Sequence, residues 1–159
     1  MSQNIHERHL RRALELATEN AVSGRGGPFG AVIACGEKVI AEGVNSVTAS
    51  HDPTAHAEIN AIRGACQRLG AFSLHGCTLY SSCEPCPMCL GAIYWARLDA
   101  LYYAGTRADA AHGGFDDSSL YEQFALPLDA RRLRSTHMLA DAGAGPFEAW
   151  LRQPGRVPY

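Results

Sequence analysis

His56-Ala57-Glu58 and, about thirty residues later, Pro85-Cys86-Pro87-Met88-Cys89 are the two segments around which the chain is organised. A catalytic zinc ion is bound by imidazole nitrogen and thiolate sulfur at about 2.0–2.3 Å, with three protein ligands and a fourth position left to water. The two segments supply that number and type of ligand: His56, Cys86 and Cys89. Glu58 is a candidate proton carrier beside the open position. The segments therefore predict one zinc ion per subunit and a hydrolytic reaction.

The spacing within each segment predicts that both lie at the start of a helix. Cysteines three residues apart in the first turns of a helix share one face, and Pro85 suits the entry to such a helix. His56 and Glu58 are two residues apart, so they converge only if they occupy the opening turn of their helix. Asp52-Pro53-Thr54, just upstream, is a plausible signal for that helix start.

Other interpretations of the cysteines stay open at this point. A C-x-x-C pair also occurs in redox proteins and in structural zinc sites, and Cys83-x-x-Cys86-x-x-Cys89 fits the beginning of an iron–sulfur motif that lacks its fourth cysteine. Cys83 is expected at a strand end near the site, as a neighbour of the metal or a further ligand. A structural zinc or interaction module is the non-enzyme alternative. Glu58 argues against it, because a structural site does not use a carboxylate beside an open position.

Composition is typical of a single globular domain, residues 1–159. The chain is 47% hydrophobic and 19% charged, and it is long enough to bury a core without disulfides. It has no run of about 20 apolar residues and no signal-peptide core, so we expect no membrane partner, a cytoplasmic location and reduced cysteines. The net charge of -2 argues against nucleic acid as a partner and favours a small-molecule substrate.

Hydrophobic periodicity predicts an α/β fold. An amphipathic helix from Ser2 to about Ser23 precedes a hairpin of two strands, and helices then alternate with strands. The predicted later elements are a helix over 54–69, a strand over 77–82, a helix over 86–96, a strand over 98–104, short helices over 108–112, 118–124 and 146–151, and an edge strand over 132–137. A helix between successive strands implies parallel pairing. The expected fold is a three-layer α/β/α sandwich around a mixed five-stranded sheet, with an N-terminal antiparallel hairpin and parallel later strands.

With these segments in order, the chain resembles the cytidine deaminase-like superfamily of zinc deaminases and, within it, the bacterial guanine deaminases. The resemblance covers residues 27–32, 52–58, 82–97 and 114–118. The H-A-E and P-C-x-x-C motifs are shared with tRNA adenosine deaminases and cytosine deaminases, so they indicate the reaction class only. The features typical of guanine deaminases are Phe115-Asp116-Asp117, Asn45 and the terminal Tyr159.

The resemblance implies zinc-dependent hydrolysis of guanine to xanthine and ammonia in purine catabolism or salvage. It implies that Glu58 relays protons, that Asp117 contacts the amino edge of the base, and that Asn45 reads its polar edge. Further contacts to the base are implied for the aromatic rings of Phe29 and Trp95 and the backbone around Ala57 and Glu84. On sequence alone these residues also fit a helix cap, a turn or ordinary core positions.

The resemblance also implies a homodimer in which the C-terminal segment, about residues 145–159, is exchanged and Tyr159 closes the pocket of the partner. On composition alone, this Pro/Gly-containing tail would fray. The alternative activities are a tRNA adenosine deaminase or another small-nucleobase deaminase. Arg131-Arg132-Leu133-Arg134 is the basic cluster that a nucleic acid would need, and it fits a solvated edge better.

Overall fold

The structure is a computed structural model that describes residues 3–159, so the expected helix start at Ser2 lies outside the described residues. The chain forms two compact units, of which the first ends at Ser118 and the second covers Ser119–Tyr159. Within the described residues, no helix has the length and apolar character needed to span a membrane.

The first unit contains the helices and strands in the predicted order. They are α1 Gln3–Val22, β1 Gly30–Cys35, β2 Lys38–Val44, α2 Val47–Ser50, α3 Ala57–Leu69, β3 Thr78–Cys83, α4 Pro87–Trp95, β4 Ala100–Gly105 and α5 Arg107–His112. A further helix, α6 Ser118–Ala125, begins at the last residue of this unit. The short helix α2 was not predicted; for the other elements, the predicted bounds differ from these by three residues or fewer at each end.

The sheet has four strands in the order β2-β1-β3-β4. β1 pairs antiparallel with both β2 and β3, whereas β3 and β4 are parallel. The predicted hairpin and the parallel later pair are confirmed. Successive strands are not always neighbours, however, because β1 lies between β2 and β3.

The fifth strand predicted over residues 132–137 is wrong. This segment forms no strand, and the backbone N–H of Arg132 donates to the Gln123 side chain at 2.7 Å rather than to a neighbouring strand. Strand pairing requires a partner edge. Without such a partner edge, the segment does not form a strand.

Alternating residues of β1 distribute between two apolar layers, as expected for a strand covered on both faces. Val32 and Ala34 pack with Ala13, Leu16 and Tyr80 on the side of α1. The opposite layer contains residues of α3 and α4 packed on Ala31 and Ile33: Ala57, Ala61, Ala65 and Ile93. The three-layer α/β/α arrangement is therefore confirmed, with both metal-site helices on the same face of the sheet.

Cys35 and Cys77 form a disulfide, so the expectation that all cysteines are reduced is wrong for this pair. The antiparallel register of β1 and β3 pairs Ala34 with Thr78, which brings the next residues of the two strands opposite each other. The two cysteines are 42 residues apart in sequence, and only the strand register reveals their proximity. Cys66, Cys83, Cys86 and Cys89 are free thiols.

The second unit contains most of α6, a 3-10 turn over Leu128–Ala130 and α7 Gly145–Leu151. The structure describes all of its residues, and none of them is buried. Many are large and apolar, with at least a third of their surface exposed: Leu120, Phe124, Leu126, Leu128, Leu133, Met138, Leu139, Phe147, Trp150, Leu151, Val157 and Tyr159. A monomer would therefore leave an unusually apolar surface in water.

Candidate metal centre

The three predicted metal ligands come from the starts of two helices. His56 is the N-cap residue of α3, and Cys86 is the N-cap residue of α4, where Pro87 occupies the first turn. Cys89 lies one turn into α4 and is fully buried. The prediction that His56 and Glu58 converge at the opening of one helix is confirmed. Asp52, in contrast, caps a turn rather than α3, because its carboxylate accepts hydrogen bonds from the backbone and hydroxyl of Thr54.

The distances between the ligand atoms fit zinc. The Nδ1 atom of His56 lies 3.6 Å from Sγ of Cys86 and 3.5 Å from Sγ of Cys89. Tetrahedral coordination with Zn–N and Zn–S distances of about 2.1 and 2.3 Å places the nitrogen and sulfur about 3.6 Å apart. All three ligand atoms lie within 4.8 Å of one another. The donor set and its spacing therefore suit a tetrahedral zinc ion with three protein ligands.

The charges of these groups also favour a divalent cation. Hydrogen bonding with Cys89 and His56 lowers the pKa of the Cys86 thiol to about 4. The hydrogen bond with Cys86 and burial raise the pKa of Cys89, since a second negative charge beside the first is unfavourable. The pKa of His56 is raised by its hydrogen bond with Cys86. A cation bound between these groups would stabilise both thiolates and the neutral imidazole.

Glu58 is placed as expected for a proton carrier. It is the second residue of α3, its side chain is buried, and it lies within hydrogen-bonding reach of Cys89. The Ser81 hydroxyl on β3 donates to Glu58 Oε1 at 3.4 Å. Burial raises the pKa of the Glu58 carboxyl, which favours the uptake of a proton by this group.

Asn45 follows the last residue of β2 and is nearly buried. Its Oδ1 atom accepts hydrogen bonds from the backbone N–H groups of Gly27 and Val47, both at 3.3 Å. The side-chain amide of Asn20 donates to the backbone oxygen of Asn45 at 2.9 Å, which fixes the loop further. Because Oδ1 is engaged inside the protein, the groups that Asn45 could offer to a ligand are its amide N–H donors.

The two aspartates of the Phe115-Asp116-Asp117 segment have different surroundings. Asp116 accepts a hydrogen bond from the backbone N–H of Ser118 at 2.9 Å and caps the start of α6. The side chain of Asp117 is only 20% exposed, and its Oδ1 atom pairs with Nε of Arg107 at 3.4 Å. The helix-cap interpretation therefore holds for Asp116, and Asp117 is the carboxylate available for a site.

Phe29 links the Asn45 loop to the segment that carries Asp117. The backbone N–H of Asn45 donates to the Phe29 carbonyl at 3.1 Å. The Phe29 ring meets the Phe115 ring edge to face, with centroids 5.0 Å apart. The structure thus brings together two sequence regions that the resemblance to guanine deaminases associates with the base.

The remaining predicted contact residues are less directly placed. Ala57 is buried at the first position of α3, and Glu84 follows β3 and accepts a hydrogen bond from the backbone N–H of Arg107 at 3.4 Å. Trp95 is 64% exposed at the end of α4, with the guanidinium of Arg97 over its ring. Tyr159 is exposed in the second unit. Base contacts by these residues remain predictions.

Cys83 is a neighbour of the site and does not belong to the group of metal ligands found among the described residues. It ends β3, and its thiol donates to the carbonyl oxygen of Thr106 at 3.5 Å. Ser81, Asn20 and Arg107 also contact site residues, and sequence reasoning missed all three. Each of them contacts a site residue that is distant in sequence, and none belongs to a sequence motif.

A three-ligand His-Cys-Cys site at two helix starts, with a buried glutamate beside it on a mixed α/β/α sheet, defines the class of zinc-dependent nucleobase deaminases. The signature of the cytidine and deoxycytidylate deaminase zinc-binding region matches residues 3–105. The chain belongs to this family.

Proteins similar to this chain include other deaminases. A guanine deaminase of Bacillus subtilis is 54% identical over 154 residues, which covers 97% of this chain and 99% of the relative. An X-ray structure of a guanine deaminase from Bacillus subtilis superimposes with a TM-score of 0.95 at 50% identity, and the match covers 100% of this chain and 99% of the other. A tRNA-specific adenosine deaminase of Aquifex aeolicus is 42% identical over 87 residues, which covers 55% of this chain and 56% of the relative.

Proposed function

We propose that this protein hydrolyses guanine to xanthine and ammonia with one zinc ion per subunit. The near full-length similarity to a guanine deaminase supports this substrate over others in the family. The structural observation that carries the proposal is the contact of Phe29 with both the Asn45 loop and Phe115. Through it, two of the features typical of guanine deaminases, Asn45 and the Phe115-Asp116-Asp117 segment, lie in one region.

His56, Cys86 and Cys89 hold the metal, which when bound lowers the pKa of a coordinated water to about 7. Glu58 takes a proton from the attacking water and delivers it to a ring nitrogen of guanine beside C2. A second proton from the water goes to the leaving amine, so that the bond between C2 and the amino nitrogen breaks and ammonia leaves. Burial of Glu58 suits the first step, because a carboxylate with a raised pKa takes up a proton more readily.

Asn45 and Asp117 orient the base. The amide N–H groups of Asn45 donate to an acceptor on the polar edge of guanine, since Oδ1 is already engaged by Gly27 and Val47. Asp117 accepts from the amino group at C2 and assists its departure. Phe29 stacks beside the ring, a contact worth on the order of 1–3 kcal/mol. Trp95 and the backbone of Ala57 and Glu84 complete the contacts to the base.

We further propose that the protein is a cytoplasmic homodimer in which the C-terminal segment, about 145–159, is exchanged and Tyr159 closes the partner's pocket. The second unit buries none of its own residues despite its many large apolar side chains. Contact with a partner subunit would remove this apolar surface from water. In the first unit, β4 is an edge strand with Tyr102 and Tyr103 exposed. A symmetric partner would cover such surfaces in both subunits at once.

A tRNA adenosine deaminase is the main alternative. The tRNA-specific relative matches only 55% of this chain, whereas the guanine deaminase matches 97%. The net charge of -2 provides little attraction for the phosphate backbone of tRNA. Both observations favour a free base as the substrate.

The test is a spectrophotometric assay of zinc-loaded protein with guanine, 2-aminopurine, adenine, cytosine and a tRNA anticodon stem-loop. We expect guanine to be turned over with the highest kcat/KM, and 2-aminopurine to be poorer because it lacks the oxygen acceptor at C6. Removal of zinc by a chelator should abolish turnover, and added zinc should restore it. Deamination of the stem-loop without turnover of guanine would refute the proposal.

A further inference from the structure

Arg107 lies where the metal-ligand segment and the Asp117 segment approach each other. It is the first residue of α5, and a capping box fixes the start of that helix. The carboxylate of Asp109 accepts hydrogen bonds from the backbone N–H and hydroxyl of Thr106, both at 2.7 Å. The backbone of Arg107 is therefore held in place by its own helix start.

Three hydrogen bonds connect the end of β4 and the start of α5 to Cys83 and Glu84, which precede the ligand Cys86 by three and two residues. The backbone N–H of Glu84 donates to the Gly105 carbonyl at 2.8 Å, and the Cys83 thiol donates to the Thr106 carbonyl at 3.5 Å. The third is the bond from the Arg107 backbone N–H to the Glu84 carboxylate at 3.4 Å. The base of the Arg107 side chain is therefore fixed relative to the segment that carries a metal ligand.

The Arg107 guanidinium reaches from this position to Asp117, with 3.4 Å between Nε and Oδ1. The two side chains are 38% and 20% exposed, so the pair is partly screened from water. Asp117 itself follows a loop that contains Gly113 and Gly114, and Gly114 has a positive φ of 92°. The contact with Arg107 thus restrains the Asp117 carboxylate from a different element of the fold.

We propose that Arg107 is a positioning residue that sets the orientation of the Asp117 carboxylate relative to the metal centre. The ion pair engages Oδ1 and leaves Oδ2 for the amino group of the substrate. This inference rests on the proposed function of Asp117. Positioning matters because a displacement of about 1 Å in a reacting group can reduce the rate on the order of a hundredfold.

The experiment compares wild type with Arg107→Gln, Arg107→Lys, Asp117→Asn and the double variant Arg107→Gln/Asp117→Asn. We expect Arg107→Gln to lower kcat for guanine by about 10- to 100-fold, with KM, zinc content and Tm close to wild type. Arg107→Lys should recover part of the loss because it retains the charge without the planar fork. In the double variant, loss of Arg107 should lower kcat no further than Asp117→Asn alone.

The matched control is Arg11→Gln, which removes an exposed ion pair with Glu7 on α1 and should leave kcat unchanged. The proposal would be overturned by additive losses of kcat in the double variant or by a wild-type kcat in Arg107→Gln. A loss of kcat accompanied by a matching loss of zinc content or a lower Tm would overturn it as well.

Crystal structures of wild type and Arg107→Gln supply a readout independent of activity. The Asp117 side chain should change rotamer or become disordered in the variant, and an unmoved carboxylate would overturn the positioning role. If wild type does not turn over guanine, the proposed function fails, and these structures still decide whether Arg107 orients Asp117.

Discussion

Gly43 on β2 lies directly against the carbonyl oxygen of Ala57 in the first turn of α3. A β-carbon at position 43 would overlap that oxygen and lie 2.6 Å from the backbone nitrogen of Ala61. Ala57 stands between the metal ligand His56 and the proton carrier Glu58. The absence of a side chain at Gly43 therefore sets how closely the start of α3 approaches the sheet.

We expect Gly43→Ala to lower the free energy of unfolding by about 1–3 kcal/mol, because the added methyl group overpacks a backbone contact. It should also weaken zinc binding, since the displaced backbone carries His56. Urea denaturation and titration against a zinc chelator measure the two effects. The matched control is Gly64→Ala in the same helix, where the nearest neighbour of the new β-carbon is Ala41 Cβ at 3.5 Å. That change should stabilise by about 0.5–1 kcal/mol, and the same result for Gly43→Ala would contradict the contact argument.

Glu58→Gln should retain zinc and lose most turnover. The amide keeps the shape of the side chain but cannot accept and return a proton, a function typically worth about 10²- to 10⁴-fold in rate. Zinc content by metal analysis and kcat with guanine measure the outcome. Ser81→Ala provides a graded control, since it removes only the 3.4 Å hydrogen bond to Oε1 and should cost less than tenfold. Activity of the glutamine variant near the wild-type level would exclude Glu58 as the proton carrier.

The metal ligands and most of the fold could be predicted because their signals are local. A proline next to a cysteine pair marks a helix start, and the spacing of His56 and Glu58 allows convergence only in an opening turn. Apolar periodicity gave the helices and strands of the first unit within a few residues.

The features missed by sequence analysis depend on long-range pairing. The Cys35–Cys77 disulfide follows from the register of β1 and β3, and the position of β1 between β2 and β3 follows from sheet order. The different surroundings of Asp116 and Asp117 depend on Arg107, which lies on another element. None of these pairings leaves a pattern in neighbouring residues.

Removal of residues 153–159 should raise KM for guanine at least tenfold if Tyr159 closes the pocket of the partner subunit. Loss of the ring exposes the bound base to water and removes a stacking surface. Steady-state kinetics measure the change, and sedimentation shows whether the dimer persists. Tyr159→Phe is the matched control, because it keeps the aromatic ring and should stay close to wild type. Unaltered kinetics in the truncated protein would rule out the lid.

Loss of the Cys35–Cys77 disulfide should destabilise the protein. A cross-link between residues 42 apart restricts the unfolded chain by about 4 kcal/mol in the loop-entropy description. We expect Cys35→Ala/Cys77→Ala to lower the free energy of unfolding in urea by up to this amount, with Cys66→Ala, the variant of a free thiol, as control. Titration of thiols in denatured, zinc-free protein should give four free groups. Six free thiols in protein taken from cells under alkylating conditions would show that the pair is reduced in a cytoplasmic environment.

The stability of the protein should decrease as the pH falls below about 6.5, in part because of His9 on α1. Its imidazole is 2% exposed, packs on the Tyr80 ring and lies 3.3 Å from the carbonyl oxygen of Gly36 through Nε2. Burial lowers the pKa of His9 despite the hydrogen bond with Gly36, and Arg8 and His6 lower it further. At a pH below the pKa of His9 in the unfolded chain, His9 binds a proton in the unfolded state that it does not bind in the folded state.

The stability that neutral His9 contributes is therefore complete above pH 6.5 and is lost as the pH falls toward its folded pKa, at a slope of at most about 1.4 kcal/mol per pH unit. His9→Gln keeps an amide that can donate to Gly36 but does not titrate. Urea denaturation of both proteins between pH 7.5 and pH 5.5 isolates His9, because acid release of zinc affects both equally. The difference in the free energy of unfolding between wild type and the variant should decrease as the pH falls. A difference that stays constant across this range would mean that the titration of His9 does not contribute to acid destabilisation.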